Sequence, residues 1–314
     1  MRRHLLTVLN YFGYFAYAPS FDEILIFYPI KISKKNLILL LAKEVLSKQI
    51  VKLYLKTPGI QFRLSQSHTN HSSPTTNHPL YTLPQYSIIR RHSERSKESN
   101  KYNRVNIHFT RFFGLAPQND RIKMYLSILK RLPFVQFVGI TGSSAMTGWT
   151  EERDLDLCVV TKMKAIWTTR FFLVLLAKIL RVHNKRGVCL NLFFEESDLT
   201  ISSNKCNSYI AHELLQMKPL IDKGQIYHRF LVENRWIYQY FPNANKLKAE
   251  SSRLKDEKLQ VTSYKLQNNI DRLFKSIQLP IIQRNRTAFY ISNTQLWLFK
   301  KDFEKKLKRR GLVI

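Results

Sequence analysis

Between Phe137 and Val160 the chain reads FVGITGSSAMTGWTEERDLDLCVV, and this stretch constrains the fold more than any other. The spacing predicts an apolar strand ending at Thr141, a Gly142-Ser143 turn, a short helical piece, and a second strand opening with Asp154-Leu155-Asp156. Residues two apart on a strand project from one face, so Asp154 and Asp156 point together while Leu155 and Leu157 enter the core. Two neighbouring carboxylates repel each other unless a positive charge lies between them. A hard divalent cation such as Mg2+, which takes carboxylate oxygens, answers that need. A Gly-Ser turn leading into a helix supplies backbone N–H groups and a positive dipole, which suit a triphosphate.

Around that stretch, strands and helices alternate. QNDRIKMYLSILKRL reads as a helix stopped by Pro133, AIWTTRFFLVLLAKILRV as a second helix, and GVCLNLFFEE as a third strand candidate. This order predicts an α+β domain built on a small mixed sheet over 106–200. Beyond 200 the pattern reads as a mainly helical C-terminal module, 201–314.

The N-terminal 1–64 segment reads as three short helices and an extended piece, IQFRL, with Asp22 and Glu23 near one helix start and Ser33 as an N-cap. A winged helix and a generic helical bundle both fit it. Residues 65–105 change character: SQSHTNHSSPTTNHPL is polar and RRHSERSKESNKYNR is charged without apolar periodicity. Neither can form a core, so the segment reads as a disordered low-complexity insertion. Its His68, His71 and His78 have no Cys or carboxylate at ligand spacing and read as solvated.

The segment that carries the two aspartates resembles the polymerase-beta-like nucleotidyltransferase superfamily, in the minimal type with a helical N-terminal module. Its pattern is an apolar residue, Gly-(Gly/Ser), a spacer, then Asp-apolar-(Asp/Glu)-apolar. Here Ile140-Thr141-Gly142-Ser143 is followed by ten residues (144–153) and then Asp154-Leu155-Asp156-Leu157. The resemblance implies transfer of a nucleoside monophosphate from an NTP to a nucleic-acid, protein or small-molecule acceptor. It implies Gly142, Ser143 and Ser144 on the nucleotide's phosphates, and Asp154 and Asp156 on Mg2+, with Mn2+ as an alternative metal. Arg170 is a candidate phosphate contact, and Trp167 is either a base-stacking or a core residue.

The family's third carboxylate falls on Asn191, whose amide can offer an oxygen to a metal but cannot accept a proton as a base. Glu195 shares a strand face with it and is expected about 13 Å away, near the rim. A catalytically degenerate nucleotide- or nucleic-acid-binding protein is therefore the alternative reading. His212-Glu213 in AHELLQ lacks the second histidine of H-E-x-x-H and reads as helix packing.

Composition adds bounds. Lys+Arg at 51 against Asp+Glu at 22 gives a formal charge of +29, a field that attracts polyanions or an anionic membrane surface. Abundant Lys, Asn and Ile also fit an AT-rich coding sequence, so charge alone does not define a partner. The three cysteines, Cys158, Cys189 and Cys206, show no C-x-x-C spacing, which points to a reducing, cytoplasmic setting. The basic start, MRRHLLTVLNYFGYFAYAPS, looks partly like a signal sequence, but polar residues dilute its apolar run. Phe171 to Val182 is too short for a membrane span, so no stable membrane insertion is expected, although an apolar N-terminus leaves peripheral attachment as a third reading.

Overall fold

The computed structural model describes residues 1–15, 17–53, 79–86, 120–147, 154–183, 187–244, 265–285, 288–299 and 303–312. It divides into two compact units, Met1–His108 and Phe109–Ile314.

The first unit has helices α1 (Arg2–Tyr14), α2 (Phe21–Ile26) and α3 (Lys34–Leu46), then a two-stranded antiparallel sheet of β1 (Val51–Leu53) and β2 (Leu80–Thr82). Its apolar faces meet in a core that includes Leu5, Leu9, Phe12, Ile24, Leu37 and Leu41. The helix starts follow from their caps. Ser20 and Glu23 form a reciprocal capping box, and the Ser33 hydroxyl accepts the Asn36 N–H at 3.1 Å. The helical periodicity of 34–55 overstates the third helix: Lys48 takes a φ of 58°, and the β-branched Ile50-Val51 turns the chain into β1. IQFRL and the three linker histidines lie outside the described residues. So does most of 65–105, but its Leu80–Thr82 stretch forms β2 and pairs with β1 in the register Lys52 to Tyr81.

The second unit is organised by a six-stranded mixed sheet. It begins with α4 (Asp120–Arg131), β3 (Val135–Ile140), α5 (Gly142–Thr147), β4 (Leu155–Thr161), α6 (Ile166–Ile179) and β5 (Val188–Glu195). It continues with α7 (Ser208–Gln216), β6 (Lys218–Asp222), α8 (Ile226–Glu233) and α9 (Ile237–Tyr240). It closes with α10 (Lys265–Asn285), β7 (Ala288–Ile291), β8 (Gln295–Phe299) and α11 (Phe303–Arg309). The strand order is β6-β3-β4-β5-β8-β7. β4 and β5 run parallel, joined by the α6 crossover, and every other pairing is antiparallel.

The architecture is α+β, with eleven α-helices among the described residues. The helices expected beyond 200 are present, and β6, β7 and β8 between them add to the same sheet. Gln295–Phe299, which reads as part of a terminal helix, is an apolar run with a tryptophan that pairs along the edge of β5. None of the described helices is long and apolar enough to cross a membrane.

The two sheet faces differ. Leu155, Leu157 and Val159 of β4 pack with Ile122 and Tyr125 of α4, Trp167 and Leu173 of α6, and Ile282 of α10. The pleat sends the alternate β4 residues to the other face. On that face Phe137 stacks on Tyr227 at 6.2 Å and Phe194 meets Phe230 edge-on at 4.9 Å, both partners coming from α8. Trp167 is 1% exposed, so it is a core residue rather than a platform for a base. Replacing Trp167 with Ala is expected to cost about 3–5 kcal/mol of unfolding free energy, read as a lower denaturant midpoint.

Candidate active site

The site grows out of the β3–β4 pair. Thr141 closes the end of β3 by donating its N–H to the Asp156 carbonyl at 3.0 Å. Gly142 follows with a φ of +65°, a left-handed conformation that a side chain disfavours. Space makes the same demand: a Cβ on Gly142 would stand 2.8 Å from Asp156 Oδ2. The glycine thus lets the backbone turn directly against a carboxylate.

Asp156 is half-buried, and Asn191 donates its Nδ2–H to Asp156 Oδ1 at 2.7 Å. An irregularity in the β4–β5 pairing makes that contact possible. Leu157 pairs with Leu190 and Cys158 with Leu192, so Asn191 is an extra residue on β5. The bulge turns Asn191 to the face of Asp156, while Leu190 and Phe193 remain in the core on the opposite face. The expected sharing of one face by Asn191, Phe193 and Glu195 is corrected accordingly.

Glu195 is not at the rim of the site. It pairs with Thr161 at the far end of β4, about 16 Å along the strand from Asp156, and accepts the Lys164 N–H at 2.9 Å. Burial, with added repulsion from Asp271, pushes its carboxyl up to about 7.

Asp154, half-buried, immediately precedes β4 on the parity of Asp156. Ser144 is fully buried, and its hydroxyl donates to the Asp154 carbonyl at 2.9 Å. That bond braces α5 against the start of β4. Ser143 beside it is half-buried. The link 148–153 lies outside the described residues.

Arg170 has a partner of its own in the second unit. It lies on α6, which covers the face opposite Asp156, and its Nη1–H donates to Gln278 Oε1 of α10 at 2.6 Å. Gln278 in turn donates to the Trp167 carbonyl at 2.9 Å, so the guanidinium belongs to an α6–α10 packing contact.

One participant reads as packing in the sequence. Glu213 of α7 accepts the Gly142 N–H on its Oε2 at 2.8 Å. Gln216, one turn on, donates Nε2–H to Glu213 Oε1 at 2.8 Å and reaches the Gly142 carbonyl at 3.4 Å. His212 Nδ1 pairs with Gln216 Oε1 at 3.0 Å. Burial pushes His212 down to about 3, so its ring is neutral near neutrality. The i, i+1, i+4 spacing of His212, Glu213 and Gln216 was the available signal: three polar residues set among the buried Ile210, Ala211, Leu214 and Leu215.

The donor set fits a hard cation in kind. It comprises two carboxylates and an amide that can present its oxygen after rotation. Among the described residues there is no group of three or more His, Cys, Asp or Glu able to hold a metal.

No protein family matches the chain, and no curated protein matches it. Structural similarity is found to crystal structures of two mutants of the toxin-antitoxin MntA-HpeT. One is 18% identical over 43% of this chain and 97% of the other, with a TM-score of 0.25. The second is 15% identical over 43% of this chain and 98% of the other, also with a TM-score of 0.25. A likeness at that level does not define a shared fold.

Two outcomes follow from the geometry. Gly142→Ala is expected to destabilise the chain by about 1–3 kcal/mol through left-handed strain, and to displace the Asp156 carboxylate. Chemical denaturation checks the first part, and a shifted Asp156 carboxylate resonance by NMR checks the second. Burial pushes Glu213 up to about 7 from 4.5, so the folded chain holds that proton more tightly than the unfolded chain. Its contribution to stability is therefore full below pH 4.5 and is lost as pH rises to about 7. Glu213→Gln is expected to flatten that part of the melting-temperature profile by on the order of 5 °C.

Proposed function

We propose that the chain is a metal-dependent nucleotidyltransferase that moves a nucleoside monophosphate from an NTP to an acceptor and releases pyrophosphate. The observation that carries this reading is the approach of the Gly142 turn to Asp156, whose other oxygen is held by Asn191. A phosphate cradle and a pair of acidic side chains adjoin there, as in-line displacement at phosphorus requires.

In this reading Asp154 and Asp156 hold Mg2+, or Mn2+, and Asn191 rotates its amide oxygen toward the metal. When bound, the metal offsets negative charge on the phosphoryl oxygens and orients them. Ser143 and the backbone of the turn hold the phosphates of the NTP. Thr141 and Ser144 keep β3 and α5 fixed to β4, so the turn and the carboxylates hold their spacing while the nucleotide binds. The acceptor is placed by residues 201–314 and by the strongly basic surface, which favours a polyanion such as nucleic acid over a neutral small molecule. In this reading the three helices and two-stranded sheet of the first unit form a winged-helix-like module, and the setting is cytoplasmic.

A second reading has specific support. Asn191 cannot accept a proton, and Glu213 already occupies the Gly142 N–H, which suits a catalytically degenerate binder of nucleotide or nucleic acid.

One assay separates the two: Mg2+-dependent pyrophosphate release from each NTP with nucleic-acid, protein and small-molecule acceptors. Turnover is expected in the wild type, with a loss of at least about 10²-fold in Asp154→Ala/Asp156→Ala. Folded wild type that binds nucleic acid with steep salt dependence but turns over no NTP would establish the binder instead.

A further inference from the structure

The strongest uncommitted feature of the molecule is the polar cluster that α7 presents to the Gly142 turn. α7 is otherwise packed by Ile210, Ala211, Leu214 and Leu215, all buried. Three hydrogen-bonding side chains in that setting require partners, because an unmade bond there costs the desolvation of each group. They find them in one another and in a single backbone residue. His212 pairs with Gln216, Gln216 donates to Glu213, and Glu213 accepts from Gly142 N–H. Gln216 also reaches the carbonyl of that same residue. Both peptide groups of the glycine in the left-handed turn are thus addressed from one helix, 71 residues further along the chain.

We propose that His212, Gln216 and Glu213 form a positioning relay. Its function is to hold the Gly142-Ser143 turn at the distance from Asp156 that nucleotide binding requires. The inference rests on the nucleotidyltransferase reading for its consequence, but not for its geometry. Gly142 is both the residue that must be left-handed and the residue that stands against Asp156 Oδ2. A shift in its peptide plane therefore moves the phosphate-facing backbone and the metal-facing carboxylate relative to each other. The Gly142 N–H is gripped from α7 rather than from within β3 or β4, with Glu213 Oε2 as its acceptor. Glu213 presents one oxygen to the Gly142 N–H, and Gln216 fixes the other. Glu213 does not touch the reacting atoms in this arrangement; it acts through the turn.

The test uses full-length protein and three variants. Glu213→Ala removes the grip. Glu213→Gln keeps a carbonyl oxygen able to accept the Gly142 N–H. Gln216→Met fills the same space without the bridge and serves if Glu213→Ala does not fold. Amide hydrogen exchange over Gly142-Ser143 is the first readout. It is expected to quicken by about tenfold or more in Glu213→Ala or Gln216→Met, with partial protection restored in Glu213→Gln. The second readout is the KM for Mg2+·ATP and the other NTPs. It is expected to rise about tenfold in the same variants, with kcat at saturation changed much less.

Unchanged exchange at the turn in a folded Glu213→Ala or Gln216→Met overturns the relay. A lower melting temperature with unchanged nucleotide KM also overturns it, because that outcome describes packing alone. Wild type that turns over no NTP overturns the nucleotidyltransferase reading separately, and the exchange measurement still decides whether the relay holds the turn.

Discussion

The close approach of Gly142 to the Asp156 carboxylate is the constraint on which the second unit depends. A residue with φ +65° at that point redirects the chain out of β3, and the missing side chain leaves room for the carboxylate oxygen 2.8 Å from where a Cβ would be. Three backbone-directed bonds then fix the turn. Thr141 N–H donates to the Asp156 carbonyl, Ser144 Oγ–H donates to the Asp154 carbonyl, and Gly142 N–H donates to Glu213. The first two tie the turn to β4, and the third ties it to α7. Sheet, short helix and long-range helix therefore meet at one peptide, and displacement of any one of them moves the other two.

The sheet topology explains why this junction lies where a polar ligand can be met. A sheet that was antiparallel throughout would not require a crossover helix. The single parallel pair, β4 with β5, does require one, and α6 supplies it with Leu173 and Ala177 in the core. That helix, together with α4 and α10, covers the face carrying Leu155, Leu157 and Val159. Asp154 and Asp156 are left with the opposite parity, away from the apolar layer, where burying a carboxylate would be costly. The bulge at Asn191 completes the arrangement by turning one polar side chain out of the apolar series Leu190 and Phe193. A strand of unbroken register would have sent Asn191 to the wrong face or Phe193 out of the core.

Sequence patterning carried the central elements because their periods are strong. β3, β4, α6 and β5 lie where apolar runs and helical spacing place them, and Asp154 and Asp156 follow from the period of two. Glu23 near a helix start and Ser33 as an N-cap were legible for the same local reason. Long-range partners were not. Leu80–Thr82 is a strand only because Val51–Leu53 lies beside it, and Gln295–Phe299 only because β5 offers a free edge. Arg170 has the chemistry of a phosphate contact but sits on the helix that covers the other face, a fact set by the crossover rather than by its neighbours. Ser144 lies within the motif yet turns inward, since a six-residue helix places consecutive residues about 100° apart. Glu213 carried the least local signal: its partner is 71 residues away.

The amide of Asn191 beside Asp156 has an electrostatic logic of its own. A third acidic group beside Asp156 would raise the cost of keeping both ionised, unless a cation stayed bound between them. An amide reverses the sign of that contact, because its Nδ2–H donates to Asp156 Oδ1 and stabilises the charged form without a metal. The arrangement is therefore held together by its own hydrogen bonds, with Asn191 on one oxygen of Asp156 and the glycine turn against the other. A cation placed against Asp156 would have to displace the Asn191 donor or turn that amide about.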